Sequence, residues 1–410
     1  MASEADVQAL GFCPARLSRL RDHMAAMVEQ GQVAGVSTLL MRHGRVVARQ
    51  IVGRADLDAG RPLADDTLFR IYSMTKPVVT VALMTLFEEA RFTLDDPITR
   101  FLPEFAELRV CVGENPDGSM RTKPARRPPT MRELMSHTSG LGYGLFDHHP
   151  VERAYRAAGV MTASSLDDFA ARAASIPLMF HPGEEWFYSV GSGLQGLVIE
   201  RITGRSLGDA LRERVFDPLG MNATGFQIPR DDANRMATLY AQTPGGELVP
   251  AGTIFDIPVH PVDQPPPFED GGGGLVSTLD DYGRFAQMVL NRGGLDGRRI
   301  LAPATVELMA TNMIPDAVLA RPSPLRLLPF QPAFGFGLGF SIMSDPRRMG
   351  SLEGRGTLAW GGGGGTWFWV DPENDVVFVG MIQRVADPVS DAFRKAARVL
   401  TYQALIRPDL

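Results

Sequence analysis

Strand-forming sequence lies near both ends of this chain and mainly helical sequence fills the middle, so one sheet has to be assembled from distant segments. On the amino-terminal side, Gly35-Val36-Ser37-Thr38-Leu39-Leu40-Met41, the turn His43-Gly44-Arg45 and Val46 to Val52 read as an antiparallel hairpin. On the carboxy-terminal side, Leu358-Ala359-Trp360, a glycine run at 361–365 and Thr366-Trp367-Phe368-Trp369-Val370 precede the turn Asp371-Pro372-Glu373-Asn374-Asp375 and the strand Val376 to Met381. Large apolar residues flank the glycines on both sides, which argues against a flexible linker and for backbone that approaches something closely. Phe334 to Phe340 alternates large apolar residues with glycine and reads as a further strand approached by another backbone.

Helical periodicity marks most of the rest. Leu17, Leu20, Met24, Met27 and Val28 share one face of a helix over 13–30, with Gly31 as its stop. Further helices are expected at 151–158, 164–175, 193–201, 206–215, from Leu279 behind a Ser277 or Thr278 cap, at 303–312 before a Pro-rich loop, and from Asp391 to Leu405. Residues 113–129, rich in Gly, Pro, Lys and Arg, read as a surface loop, and 250–270, rich in Pro and Asp, as a loop over one side of a cleft.

Composition excludes several function classes. With 410 residues, 44% apolar, 21% charged and a net charge of −6, the chain is an ordinary globular protein without a basic stripe for nucleic acid. The start Met1-Ala2-Ser3-Glu4-Ala5-Asp6 is acidic where a secretory signal is basic, and no long apolar run occurs, so a cytoplasmic protein with no membrane span is expected. Cys13 and Cys111 stand far apart and read as free thiols. No histidine has metal-ligand spacing, and the adjacent His148 and His149 would point apart, so neither a metal nor a cofactor is expected.

The stretch Phe69-Arg70-Ile71-Tyr72-Ser73-Met74-Thr75-Lys76-Pro77 offers a nucleophile in Ser73, although Ser-x-x-Lys alone is common by chance and reads equally as a helix start with a solvated surface lysine. Pro77 and the apolar run after it place Ser73 at the start of a helix, where a residue three positions on lies on the same face. Lys76 can then reach the Ser73 hydroxyl, and partial shielding from water would make it a base for that nucleophile. His137, in Ser136-His137-Thr138-Ser139-Gly140, reads as a structural histidine at the end of a helix begun by Thr130 and Glu133. Gly204-Arg205-Ser206-Leu207-Gly208 matches a nucleophile elbow, but it follows a helical pattern instead of a buried strand, and Ser206 reads as a helix cap. Tyr188, in an aromatic cluster after a Pro-Gly turn, reads by itself as core. The glycines at 271–274 lack a following Gly-Lys-Ser/Thr and read as close packing beside a site.

Taken in order, Ser73-x-x-Lys76, Tyr188-Ser189-Val190 and Trp360-Gly361-Gly362, with Leu134 to Leu141 and Pro218 to Met221, resemble the penicillin-binding-protein and class C β-lactamase superfamily, and within it the family VIII carboxylesterases. The resemblance implies an α+β fold, an antiparallel sheet flanked by helices (1–78 with 280–410) and an inserted, mainly helical lobe (79–279), with the site in the cleft between. It implies Ser73 as nucleophile, Lys76 and Tyr188 sharing the base work, and the backbone N–H groups of Ser73 and Gly363 as an oxyanion hole. Trp360, Gly361 and Gly362 would line the substrate site. Val190 and Trp360-Gly361-Gly362 stand where β-lactamases carry asparagine and Lys-Thr-Gly, so the cation for a β-lactam carboxylate is missing. The expected substrate is a small to medium uncharged acyl ester. An acyltransferase, a weak β-lactamase or peptidase, and a catalytically inactive ligand-binding relative remain as alternatives.

Overall fold

The computed structural model describes residues 3–320 and 333–407. Helix α1 (Pro14–Glu29) precedes strands β1 (Gly35–Arg42), β2 (Arg45–Asp56) and β3 (Arg61–Pro62). Helices α2 (Thr75–Glu88), α3 (Met131–Met135), α4 (Pro150–Ala157), α5 (Gly191–Thr203) and α6 (Leu279–Leu290) follow. The chain then returns to strands β4 (Phe334–Phe336), β5 (Ser341–Met343), β6 (Thr357–Gly361), β7 (Trp367–Asp371) and β8 (Val376–Met381), and closes with α7 (Pro388–Tyr402). The Pro-rich loop expected before β4 falls mostly outside the described residues.

The two sets of strands form one antiparallel sheet in the order β4-β5-β6-β7-β8-β1-β2-β3. The junction is the β1–β8 pair, with Leu39 opposite Val379 and Leu40 opposite Phe378. Side chains alternate across a strand, so Leu40 and Phe378 face a core made with Met24 of α1 and Phe393 of α7. Leu39 and Val379 face the opposite core, which contains Phe285 of α6. Both faces of the central strands are therefore covered, which is why β8 reads as an unbroken apolar run instead of alternating with polar residues. A charge at Val377, fully buried, would lose its hydration without gaining a partner and break this packing.

Helix α2 is apolar nearly all round and buried along its length, as a helix enclosed by others must be. Its Thr80 hydroxyl donates to Gln195 Oε1 of α5 at 3.0 Å, which satisfies a polar group inside the apolar contact. Thr130 and Glu133 form the expected capping box at the start of α3. One reading is corrected: 113–129 is not wholly loop, because Arg109–Glu114 pairs with Met120–Pro124 as a hairpin. Its residues are largely exposed and carry no apolar alternation, so the pattern that identifies a strand is absent. Cys13 and Cys111 are free. No helix among the described residues is long and apolar enough to cross a membrane.

Candidate active site

Ser73 sits in a tight helical turn, Tyr72–Met74, that runs directly into α2. Tyr72 has φ +43°, an uncommon left-handed conformation for a bulky residue, at the point where the chain leaves its short strand for the helix. The turn is fixed from outside: Ile71 N–H donates to Leu275 O at 3.1 Å, and the Tyr282 hydroxyl of α6 donates to Met74 O at 2.9 Å. Two groups converge on Ser73 Oγ, with Lys76 Nζ at 3.1 Å and the Tyr188 hydroxyl at 2.8 Å. Lys76 is buried, and its Nζ also donates to the Tyr143 hydroxyl at 3.2 Å and to Gly272 O. Three acceptors match the three N–H bonds of an ammonium group. The Tyr188 and Tyr143 rings, stacked with centroids 5.2 Å apart, bring their centroids to 4.8 and 5.2 Å from Nζ. Such ring faces favour a cation.

Tyr143 was not singled out from the sequence, where only the glycines on either side of it mark a turn. It is held by Glu152 of α4, whose buried carboxylate accepts from the N–H groups of Tyr143 at 2.6 Å, Gly144 at 3.0 Å, Leu145 at 3.1 Å and Phe146 at 3.2 Å. Burial pushes the Glu152 pKa up, and the four donors oppose that. Asp270 was also missed, although it directly precedes the glycine run. Its Oδ1 accepts from Gly272 N–H at 2.7 Å, and burial raises its pKa while the Lys76 charge pulls the other way. Burial and the neighbouring charges of Tyr188, Asp270 and Glu152 push the Tyr143 pKa well above its ordinary value, so its hydroxyl stays protonated.

His137 does not reach Ser73. Its Nδ1 lies 3.0 Å from Ser189 Oγ, and its ring packs against Tyr188, Trp186 and Phe336. Burial, helped by the Lys76 charge, holds its pKa down to about 3, so it is neutral near pH 7. The structural reading agrees with this, with Ser189 as the partner through both its Oγ and its backbone N–H. Ser206 is the N-cap of a short helix, its Oγ accepting from Asp209 N–H at 3.2 Å, as expected for a cap.

The glycine run between β6 and β7 is pinned to the nucleophile turn. Gly362 N–H donates to Thr366 O at 2.7 Å, and the Thr366 hydroxyl donates to Ile71 O at 3.2 Å. A Cβ at Gly362 would strike Thr366 Oγ1 and the Ile71 carbonyl, so only glycine fits this approach. The N–H groups of Ser73 and Gly363 have no hydrogen-bond partner among the described residues. A cavity of about 410 Å³ opens beside Ser73 and Gly363, walled largely by apolar residues such as Leu145, Met161, Phe226, Ile254, Val259 and Phe268. The loop at 250–270 supplies much of that wall, as the sequence suggested. Trp360, Gly361 and Gly362, expected to line the substrate site, are not among the cavity residues. Trp360 instead packs against Tyr188, with ring centroids 5.4 Å apart, and against Phe336 at 5.2 Å, while Gly361 faces Arg394.

This geometry has relatives. The family model described as Beta-lactamase matches residues 20–403. The chain belongs to the beta-lactamase family. It is 38% identical over 368 residues to an uncharacterised protein of Mycobacterium tuberculosis, covering 89% of each chain. It is 32% identical over 358 residues to esterase EstB of Burkholderia gladioli, covering 83% of this chain and 84% of that one. Among solved structures, EstCE1, described as "a hydrolase with promiscuous acyltransferase activity", superposes with a TM-score of 0.79 at 28% identity, over 95% of this chain and 99% of that one.

Proposed function

We propose that this protein is a serine carboxylesterase of the beta-lactamase family that hydrolyses small to medium acyl esters through an acyl-enzyme on Ser73. The observation that carries this reading is a single oxygen, Ser73 Oγ, within hydrogen-bond reach of both Lys76 Nζ and the Tyr188 hydroxyl beside a largely apolar cavity. A serine hydroxyl is a weak nucleophile until an adjacent group takes its proton. In the proposed reaction a neutral Lys76 takes the Tyr188 proton, and Ser73 Oγ bonds to the ester carbonyl carbon as its own proton passes to the Tyr188 oxygen, leaving Lys76 as the ammonium. The carbonyl oxygen becomes an oxyanion, received by the N–H groups of Ser73 and Gly363. Collapse breaks the bond to the alcohol oxygen, which takes a proton from Tyr188, and water then attacks the acyl-enzyme by the same steps in reverse. The site lies between a sheet lobe, 1–78 with 280–410, and an inserted lobe, 79–279.

Trp360, which stands where a β-lactamase carries its cationic motif, packs against Tyr188 with ring centroids 5.4 Å apart. Transfer of the acyl group to an alcohol is the second reading, favoured by the likeness to EstCE1. Chromogenic acyl esters of increasing chain length, measured beside a chromogenic cephalosporin and with added alcohol acceptor, test the proposal. Ester hydrolysis that disappears in Ser73→Ala supports it; a strong cephalosporin rate with no ester rate overturns it.

A further inference from the structure

We propose that the ester this site takes carries a carboxylate remote from the scissile bond, and that Arg70 binds it. The proposal rests on the esterase reading. Among the described residues only two charged side chains line the cavity, Arg70 and Asp270. Asp270 is offset by Lys76, whose charge acts on it directly. Arg70 has no such partner: its Nη2 donates to the carbonyl of His260 at 2.6 Å, and it makes no ion pair with any carboxylate among the described residues. Its Nε and Nη1 carry no hydrogen bond there and are not sealed from solvent. Arg201 is matched with Glu104 and Asp167, and Arg384 with Asp387; Arg394 has only the carbonyls of Gly362 and Thr366 as acceptors among the described residues, but it does not line the cavity. A guanidinium group set deep in a wall keeps its charge and needs a counter-charge, and its planar fork suits a carboxylate.

Two further observations support the assignment. Arg70 is launched from fixed backbone, since its N–H donates to Gln383 Oε1 at 3.0 Å and its carbonyl accepts from Gln383 Nε2 at 3.1 Å. Tyr72, in the same wall, has its pKa pushed up to about 12 by burial and so remains a hydroxyl donor. The rest of the wall is largely apolar, the pattern of a site in which few polar groups fix orientation.

Kinetics on matched esters test this. One arm compares aryl hemiesters of aliphatic dicarboxylic acids with neutral aryl alkanoates of equal length, placing the charge on the acyl side. The other compares acetoxybenzoates with phenyl acetate, placing it on the alcohol side. The wild-type protein should favour the charged ester in one arm by roughly 10- to 100-fold in kcat/KM, mainly through KM, as expected for a charge-assisted hydrogen-bonded pair. Arg70→Met should lower the charged-to-neutral ratio by a similar factor, and Arg70→Lys by less. Preference for the neutral ester in both arms, or an unchanged ratio in Arg70→Met, overturns the proposal. If Arg70→Met does not fold, the wild-type comparison alone decides. Neutral-ester hydrolysis that needs Ser73 without any charge preference refutes this inference and leaves the esterase reading standing; no Ser73-dependent hydrolysis of any ester refutes both.

Discussion

Acid should destabilise this protein through His137, and the size of the effect follows from its surroundings. In the folded state burial and the Lys76 charge hold the His137 pKa down to about 3, against 6.5 for the free side chain. Between those values the unfolded chain binds a proton that the folded protein refuses. Stability therefore rises with pH across that window and is lost as pH falls through it. The slope approaches about 1.4 kcal/mol per pH unit well below pH 6.5, and its integral is about 2.3 kcal/mol between pH 6.5 and 4.5. Other groups titrate there too, so the test is a difference. His137 has φ +60°, a conformation that asparagine tolerates better than most residues, so His137→Asn removes the titrating ring without demanding a new backbone. Urea unfolding of both proteins at pH 7.5, 6.5, 5.5 and 4.5 measures the free energies. The wild type should lose stability relative to His137→Asn by about 1.0 kcal/mol from pH 6.5 to 5.5 and about 1.3 kcal/mol from pH 5.5 to 4.5. Parallel curves would refute the reasoning and show that His137 protonates in the folded state.

Three further outcomes follow from the site. Tyr188→Phe keeps the ring that packs against Tyr143 and Trp360 but removes the hydroxyl on Ser73, and should lower kcat by about 100- to 10,000-fold with KM little changed, read by steady-state ester hydrolysis. Glu152→Gln replaces an acceptor of four N–H groups with one that must point donors at donors. It should cost about 3 kcal/mol by chemical denaturation and lower kcat as Tyr143 loses its position. Ser206→Ala should cost about 1 kcal/mol through the lost cap and leave kcat/KM unchanged, which separates the helix cap from the nucleophile.

How much of this was legible in the sequence depended on the distance over which each signal acts. Ser73 and Lys76 are one helical turn apart, so their contact follows from local geometry. The Thr130–Glu133 and Ser206–Asp209 caps are equally local, and both occur as the residue pattern implies. The central sheet was readable because its strands carry apolar runs in two blocks. Tyr188 was read as a site residue only through resemblance, since an aromatic cluster by itself indicates core. Tyr143, Glu152, Asp270 and Arg70 act across folds of the chain that no spacing records. A buried carboxylate gathering four N–H groups looks in sequence like any glutamate on a helix. Trp360 illustrates the converse: its position in a motif suggested contact with substrate, and its side chain packs against Tyr188 and Phe336.

The central claim is that acyl transfer passes through Ser73. Incubation with an aryl phosphonate ester, followed by digestion and peptide mass mapping, tests it directly, because the acylation chemistry is arrested on the attacking residue. The account predicts one adduct, on the peptide containing Ser73, absent in Ser73→Ala and slowed in Tyr188→Phe. An adduct on any other residue, or ester hydrolysis that survives in Ser73→Ala, would contradict it.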